Sequence, residues 1–167
     1  MDKGLLILPT HRLLKGAAGL KADSDVQDKF GSNFEVRRFY AQKGLLRQMS
    51  RGRKAHNFGL FLRPNRYYLL ALKQASRELD VSILHNLIFK KILRAGPSRR
   101  GMNISHAHDA GFASAEVKAG KCDAAFFLNP TKIEEVRKIA SSGARMPHKS
   151  TYFYPKLLSG IVINKHE

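Results

Sequence analysis

The sequence predicts a mixed α/β (α+β) fold, with a mixed sheet that carries a β-hairpin in its first half and a βαβα unit in its second. Three observations predict it. Two apolar-aromatic runs, "NFGLFLR" and "RYYLLALK", flank Pro64-Asn65, which is a hairpin signature. From Met102 to Gly143, strand-like and helix-like patterns alternate at short intervals, as they do in parallel βαβ units. The third is composition: 43% apolar and 26% charged residues over 167 positions is a globular balance. A chain of this size buries roughly 70% of its extended surface, so it needs no staples.

In order, "GLLILPTHRLL" (4–14) opens with a short apolar run ended by Pro9, which suits a buried strand that leaves into a loop. Thr10, His11 and Arg12 then fall at its carboxyl end, the edge where open α/β sheets collect ligands. Asp23, Ser24 and Asp25 supply caps for a helix over "VQDKF", and "FEVRRFY" reads as a strand by its aromatic and branched residues. "AQKGLLRQMSRGRK" predicts a weak helix that decays into a basic loop. After the hairpin, "DVSILHNLIFKKIL" predicts a helix capped by Asp80. Ile83, Leu84, Leu87, Ile88 and Ile92 share one face, and Gly96-Pro97 stop it.

"RAGPSRRG" (94–101) is the best internal boundary. It divides a basic strand, hairpin and helix segment (1–95) from a βαβα unit with terminal strands (96–167), both within one domain. The second segment runs through strand "MNISHA", a helix from Asp109 to Gly120, strand "CDAAFFL" and helix "PTKIEEVRKIASSG". Pro130 is expected in the first turn of that helix and Gly143 at its C-terminal stop. "STYFYPKLLSGIVINK" closes the chain with two strand-like runs.

Charge is the unusual quantity. Thirty Lys and Arg face 13 Asp and Glu, a formal net charge of +17. Between Arg37 and Arg100 there are 16 basic residues and only Glu78 and Asp80. Such a field attracts phosphate backbones or anionic membranes without specifying a sequence, or it is a solvated surface that faces an acidic partner. The single cysteine, Cys122, excludes an internal disulfide and reads as packed. The apolar run at Leu5 to Leu8 is too short for a signal-peptide core or a membrane span, so no membrane partner and a cytoplasmic location are expected.

Lys149-Ser150-Thr151 stands six residues after Gly143, the spacing of a phosphate-binding P-loop. His148 replaces the second glycine, however, and Tyr152-Phe153-Tyr154-Pro155 forbids the helix that would present its N–H groups to phosphate. No Walker site is expected. The triplet reads either as ordinary anion donors or as the start of a strand. His106 and His108 alternate on a strand, but no third ligand is identifiable and Asp109 has a capping task, so no metal site is expected. His85 reads as a core histidine.

Several segments together resemble the family called domain of unknown function 1015: "GLLILPTHRLL", "RYYLLALK", "LDVSILHNLI", "KCDAAFFLNPTKIEEVRKIA" and "RMPHKSTYFYPKLLSGIVIN". His148 departs from the proline or glutamine usual there. The resemblance is to the family's carboxyl-terminal part. Its members run to roughly twice this length, and their first half carries an Asp-Gly-His-His-Arg-Tyr signature that this chain lacks. That signature is similar to the phosphate-handling motif of the ParB and sulfiredoxin superfamily, which includes kinases of free serine. The resemblance therefore implies the accessory half of a nucleotide-dependent phosphoryl-transfer enzyme, inactive alone, with ATP or ADP bound only together with the missing amino-terminal half. On that reading Thr10, His11, Arg12, Asn129, Lys149, Ser150 and Thr151 line a shared cleft. Arg12 and Lys149 would neutralise phosphate, the hydroxyls would donate hydrogen bonds and His11 would move a proton. The alternatives are a basic module that binds nucleic acid without sequence preference, and an inactive remnant.

Overall fold

The computed structural model describes residues 6–16, 19–52, 55–94 and 103–156. Its centre is a six-stranded sheet in the order β3-β5-β4-β7-β2-β6. The strands are β2 (His11–Lys15), β3 (Phe34–Phe39), β4 (Asn57–Leu62), β5 (Arg66–Leu72), β6 (Asn103–Ala107) and β7 (Ala124–Phe127). A separate two-stranded sheet pairs β1 (Leu6–Leu8) with β8 (Tyr152–Tyr154). Four helices among the described residues are regular: α1 (Asp23–Phe30), α2 (Gln42–Arg51), α4 (Ala110–Lys118) and α5 (Ile133–Ser141). A short helix α3 (Asp80–Ile83) continues into a wide π-helical stretch, Leu84–Ile92.

Central strands are apolar throughout because both their faces are covered. Every residue of β4 and β7 is buried. Phe58, Leu60 and Leu62 of β4 face α1 and the π-helical stretch, through Val26, Phe30, Leu84, Ile88 and Phe89. Phe61 faces the other way, towards Leu45 and Met49 of α2 and Ala113 and Val117 of α4. The result is three layers, helix, sheet and helix. Strands from both halves of the sequence interleave in this sheet, since β7 lies between β4 and β2. No helix of the described residues is long and apolar enough to cross a membrane.

Most elements fall where the pattern placed them. The hairpin β4–β5 turns over Pro64-Asn65, with the Arg63–Pro64 peptide cis and Asn65 at φ 116°. Asp109 caps α4 by accepting the Phe112 N–H at 2.6 Å, and Gly143, at φ 68°, follows the end of α5. The succession β6, α4, β7, α5 is present, with one difference. β6 and β7 both pair antiparallel with β2, so they run parallel to each other with β2 between them. The expected parallel neighbours are thus split, and every hydrogen-bonded pair in the sheet is antiparallel.

Four local expectations are corrected. The early run is two strands: Leu6–Leu8 joins the small sheet, while His11 and Arg12, expected in a loop, begin β2 inside the large one. Alternation explains it, since His11 and Leu13 point to one face and Arg12 and Leu14 to the other. Asp80 does not cap its helix; it is the first helical residue and its carboxylate goes to His56. Pro130 precedes α5, which starts at Ile133, where the Glu135 carboxylate accepts the Lys132 N–H at 2.9 Å. The helix over 84–92 is wound wider than α, with the Leu93 N–H donating to the Ile88 carbonyl at 2.8 Å. The Gly96-Pro97 stop, most of the 94–101 boundary and the terminal run after Lys156 lie outside the described residues.

Candidate functional site

β2 carries Arg12 into the sheet's interior, where the residue is 0% exposed. Its Nη1 donates to the Thr10 carbonyl at 2.7 Å and its Nη2 to the Lys149 carbonyl at 2.9 Å. Its Nε approaches the His85 Nε2 at 3.5 Å. Among the described residues no carboxylate pairs with it. A guanidinium presents five N–H donors, so two are left without a described partner. Burial alone pulls its pKa down to about 10, and it remains a cation at neutral pH.

The surroundings of this charge are imidazoles. His106 is the cross-strand neighbour of Arg12 on β6, and His85 reaches it from the π-helical stretch. His106 is lowered to about 4, first by burial of its ring and then chiefly by the charges of Arg12 and Lys149. The residue as a whole is exposed, so the effect on stability is small. His85 is lowered by burial, then by Arg12 and Lys90. Two of these rings are therefore neutral, and Arg12 and Lys149 carry the local charge.

The covering loop, 147–151, is where the Lys149-Ser150-Thr151 triplet sits. Lys149 takes a left-handed conformation, φ 56°, uncommon for a side chain of its kind. The Ser150 N–H donates to the Pro147 carbonyl at 3.2 Å, and the Ser150 carbonyl accepts from the Thr131 hydroxyl at 2.7 Å. The Ser150 Oγ is buried and, among the described residues, has no hydrogen-bond partner. A buried hydroxyl left unpaired costs about 1–3 kcal/mol, so this atom is one that a further donor or acceptor would stabilise. No helix follows: Thr151 leads into β8, and the loop is not a Walker site.

The other sequence-chosen residues divide. Thr10 is buried and its carbonyl holds Arg12, while its hydroxyl lies 3.5 Å from the His108 Nδ1. His108 in turn stacks on Tyr152, ring centres 3.8 Å apart. His11 points to the opposite face, 3% exposed, and its Nδ1 accepts the Leu128 N–H at 3.2 Å. Burial first, with Asp109 opposing it and His108 and Arg12 adding to it, lowers its pKa to about 4. The proton-transfer role expected of His11 does not fit this geometry, because the neutral ring's basic nitrogen is spent on the backbone. Asn129 is not brought to Arg12 at all; its amide donates to the Asn57 Oδ1 at 3.0 Å and the Met49 carbonyl at 3.3 Å. Thr10, Arg12, Lys149 and Ser150 are thus gathered, while Asn129 and His11 serve the frame.

Sequence reasoning missed a second charged pair. The His56 Nδ1 meets the Asp80 Oδ1 at 2.6 Å and its Nε2 meets the Ser76 carbonyl at 2.8 Å. Both ring nitrogens face acceptors, so both must donate and the ring is an imidazolium. Burial disfavours that cation, but Asp80 and the Ser76 carbonyl outweigh it and the His56 pKa is raised. For Asp80 burial raises the pKa, with His56 pulling against it. The two residues are 24 apart in sequence, and no spacing rule joins them. Among the described residues, no group of three or more His, Cys, Asp and Glu is placed to hold a metal ion. Cys122 is packed against α4 and Ala125, and burial raises its thiol pKa.

Known proteins bear on this site in two ways. The family described as Protein of unknown function (DUF1015) matches residues 1–82. Residues 1–82 carry that family's pattern. The matched segment includes Thr10 to Arg12, His56 and Asp80, while the Lys149-Ser150 loop lies beyond it. In structure, the chain is similar to a conserved hypothetical protein from Pyrococcus furiosus, with TM-score 0.53 and 15% identity over 92% of this chain and 57% of the other. It is also similar to a free serine kinase in complex with AMP, with TM-score 0.50 and 14% identity over 92% of this chain and 55% of the other. This chain therefore shares a fold with part of that kinase and spans little more than half the length of each structure. Among curated proteins, no sequence matches.

Proposed function

We propose that this chain, acting in the cytoplasm, supplies the anion-binding half of a nucleotide-dependent phosphoryl-transfer site, of the free-serine-kinase kind, and is inactive by itself. The observation that carries the reading is Arg12, a fully buried guanidinium with no carboxylate among the described residues. Buried charges are stable when paired, and a phosphate would complete this one. Arg12 and Lys149 neutralise the transferred group, and the Ser150 hydroxyl, unpaired among the described residues, donates to a phosphate oxygen. Thr151 borders the same loop. Thr10 and His11 hold Arg12 and the strand end in place rather than touching the reacting atoms. The base and the nucleotide-binding motif come from a second segment carrying the His-His-Arg signature. The similarity in fold to a free serine kinase supports this reading.

The test is to express the full chain alone and with such a segment, and to measure ATP- or ADP-dependent phosphorylation of free serine. Turnover appears only in the combination, and Lys149→Ala and Ser150→Ala reduce it. Turnover by the chain alone, or turnover untouched by both variants, overturns the reading.

One observation favours the nucleic-acid alternative. Lys43, Arg47 and Arg51 recur every four residues on the exposed side of α2, beside Tyr40, which is 87% exposed with Arg38 over its ring. A stripe of this kind tracks a phosphate backbone without reading bases. Binding that falls steeply with salt and is lost in a Lys43→Glu, Arg47→Glu double variant would favour it.

A further inference from the structure

Between α5 and the segment that leads into α3 lies a groove of about 610 Å³, a size common to small-molecule sites. It is remote in character from the Arg12 cluster. Its apolar lining comes from three directions: Leu79 before α3, Ile139 on α5 and Pro147 at the start of the covering loop. Arg77, Lys132, Lys138 and Arg145 also line it, and none makes an ion pair among the described residues. Against these four cations stand Glu78 and Glu135, and Glu135 is occupied with the Lys132 N–H. His56, held as a cation by Asp80 and the Ser76 carbonyl, lines it as well.

α5 is the second observation. Its sequence is amphipathic, yet none of its residues is buried. A helix normally closes its apolar face against the body of a domain. Here Ile139 looks into the groove instead, so the space that packing would fill is left for an occupant. Concavity and an apolar wall disfavour a flat acidic partner, and an inorganic anion would have no use for the wall. The Ser82 hydroxyl adds a donor and acceptor around it. The Ser76 hydroxyl accepts the Glu78 N–H at 3.1 Å and can still donate, and the Ser142 hydroxyl donates to the Ile139 carbonyl at 2.8 Å and can still accept.

We propose that this groove binds a small phosphorylated molecule bearing a planar, weakly polar ring, the makeup of a nucleoside monophosphate. The phosphate rests on Lys138 and Arg145, the ring lies against Leu79, Ile139 and Pro147, and the serine hydroxyls meet the polar linker. The site is separate from the Arg12 cluster and does not depend on the function proposed for it. The two share a loop, because Arg145 and Pro147 lead directly to Lys149 and Ser150.

Calorimetric titration of the full chain with AMP and UMP, with their nucleosides and with inorganic phosphate tests the proposal. A nucleoside monophosphate binds saturably, and at least about tenfold more tightly than either nucleoside or phosphate alone. Lys138→Ala with Arg145→Ala weakens it by about tenfold or more, since two charge-assisted hydrogen bonds are lost. Both residues are exposed, and thermal unfolding checks that the double variant is folded. Lys149→Ala leaves the affinity unchanged. No monophosphate binding by the wild-type chain, equal affinity for phosphate alone, or indifference to the double variant each overturns the proposal. Loss of binding in Lys149→Ala alone also overturns it, and moves the ligand to the Arg12 cluster, whose own reading then stands.

Discussion

Arg12 holds two backbone carbonyls at once, those of Thr10 and Lys149. Lysine keeps the charge but has a single head that cannot span both. Arg12→Lys therefore costs about 1–3 kcal/mol, the penalty for a buried acceptor left unmade. Phosphate raises the melting temperature of the wild-type chain and raises that of Arg12→Lys less. Equal melting temperatures for both chains, with and without phosphate, would contradict the assignment.

Two histidines give stability opposite slopes with pH. His11, lowered to about 4 from 6.5, is neutral in the fold, so the unfolded chain takes up its proton first. Its contribution is whole above pH 6.5 and is lost as pH falls towards 4, about 3 kcal/mol in full. His56 is raised above 6.5, so its contribution is whole below that pH and is lost as pH rises through the higher value. In thermal unfolding across pH, His56→Gln flattens the alkaline limb and His11→Gln the acid one. Parallel profiles for wild type and His56→Gln would show that the imidazolium is not the folded species.

At the scale of elements, the contact between α2 and the sheet is set by a missing side chain. A Cβ on Gly59 of β4 would lie 2.9 Å from the Met49 Sδ, 2.9 Å from a Phe127 ring carbon and 3.0 Å from a Leu45 methyl. All three neighbours are buried, so none can swing away into solvent. Gly59→Ala thus overpacks the layer and costs about 1–3 kcal/mol, readable in denaturant midpoints. Gly143 is the contrast. A Cβ there meets nothing within 4 Å, and the cost of Gly143→Ala comes from φ 68° alone, about 1 kcal/mol. A smaller loss at 59 than at 143 would mean that α2 sits farther from β4 than described.

For the whole molecule, the core has two compartments divided by one sheet, so a central residue supports the entire fold. Leu60 of β4 is fully buried between β5 and β7. Leu60→Ala costs about 2–5 kcal/mol with the transition still single, by chemical denaturation followed with two probes. The small sheet is different. Leu6, Phe153 and Tyr154 are 59%, 37% and 54% exposed, and Leu6 and Phe153 border a groove shared with Ile133. Apolar strands left open in this way promote association. Leu6→Lys with Phe153→Lys lowers light scattering at high concentration without lowering the melting temperature. A fall in melting temperature as large as that of Leu60→Ala would place these side chains in the core instead.

What the sequence by itself determined is local. Periodicity placed the hairpin, α1, α2, α4 and the strand-helix alternation, because each depends on neighbours within a few residues and on caps such as Asp109. It also singled out Thr10, Arg12, Lys149 and Ser150 as polar groups standing at strand ends. Their meeting was decided only by tertiary structure. Arg12 and Lys149 are 137 residues apart, and their contact depends on β2 entering the sheet between β6 and β7. That insertion has no local signature, since "HRLLK" shows the same alternation beside any partner. The pairing of His56 with Asp80, the turning of His11 and Asn129 into the frame, and the wide winding of 84–92 arose in the same way. Each is settled by which group a buried polar atom must satisfy once packing has removed water, and that choice exists only in the folded chain.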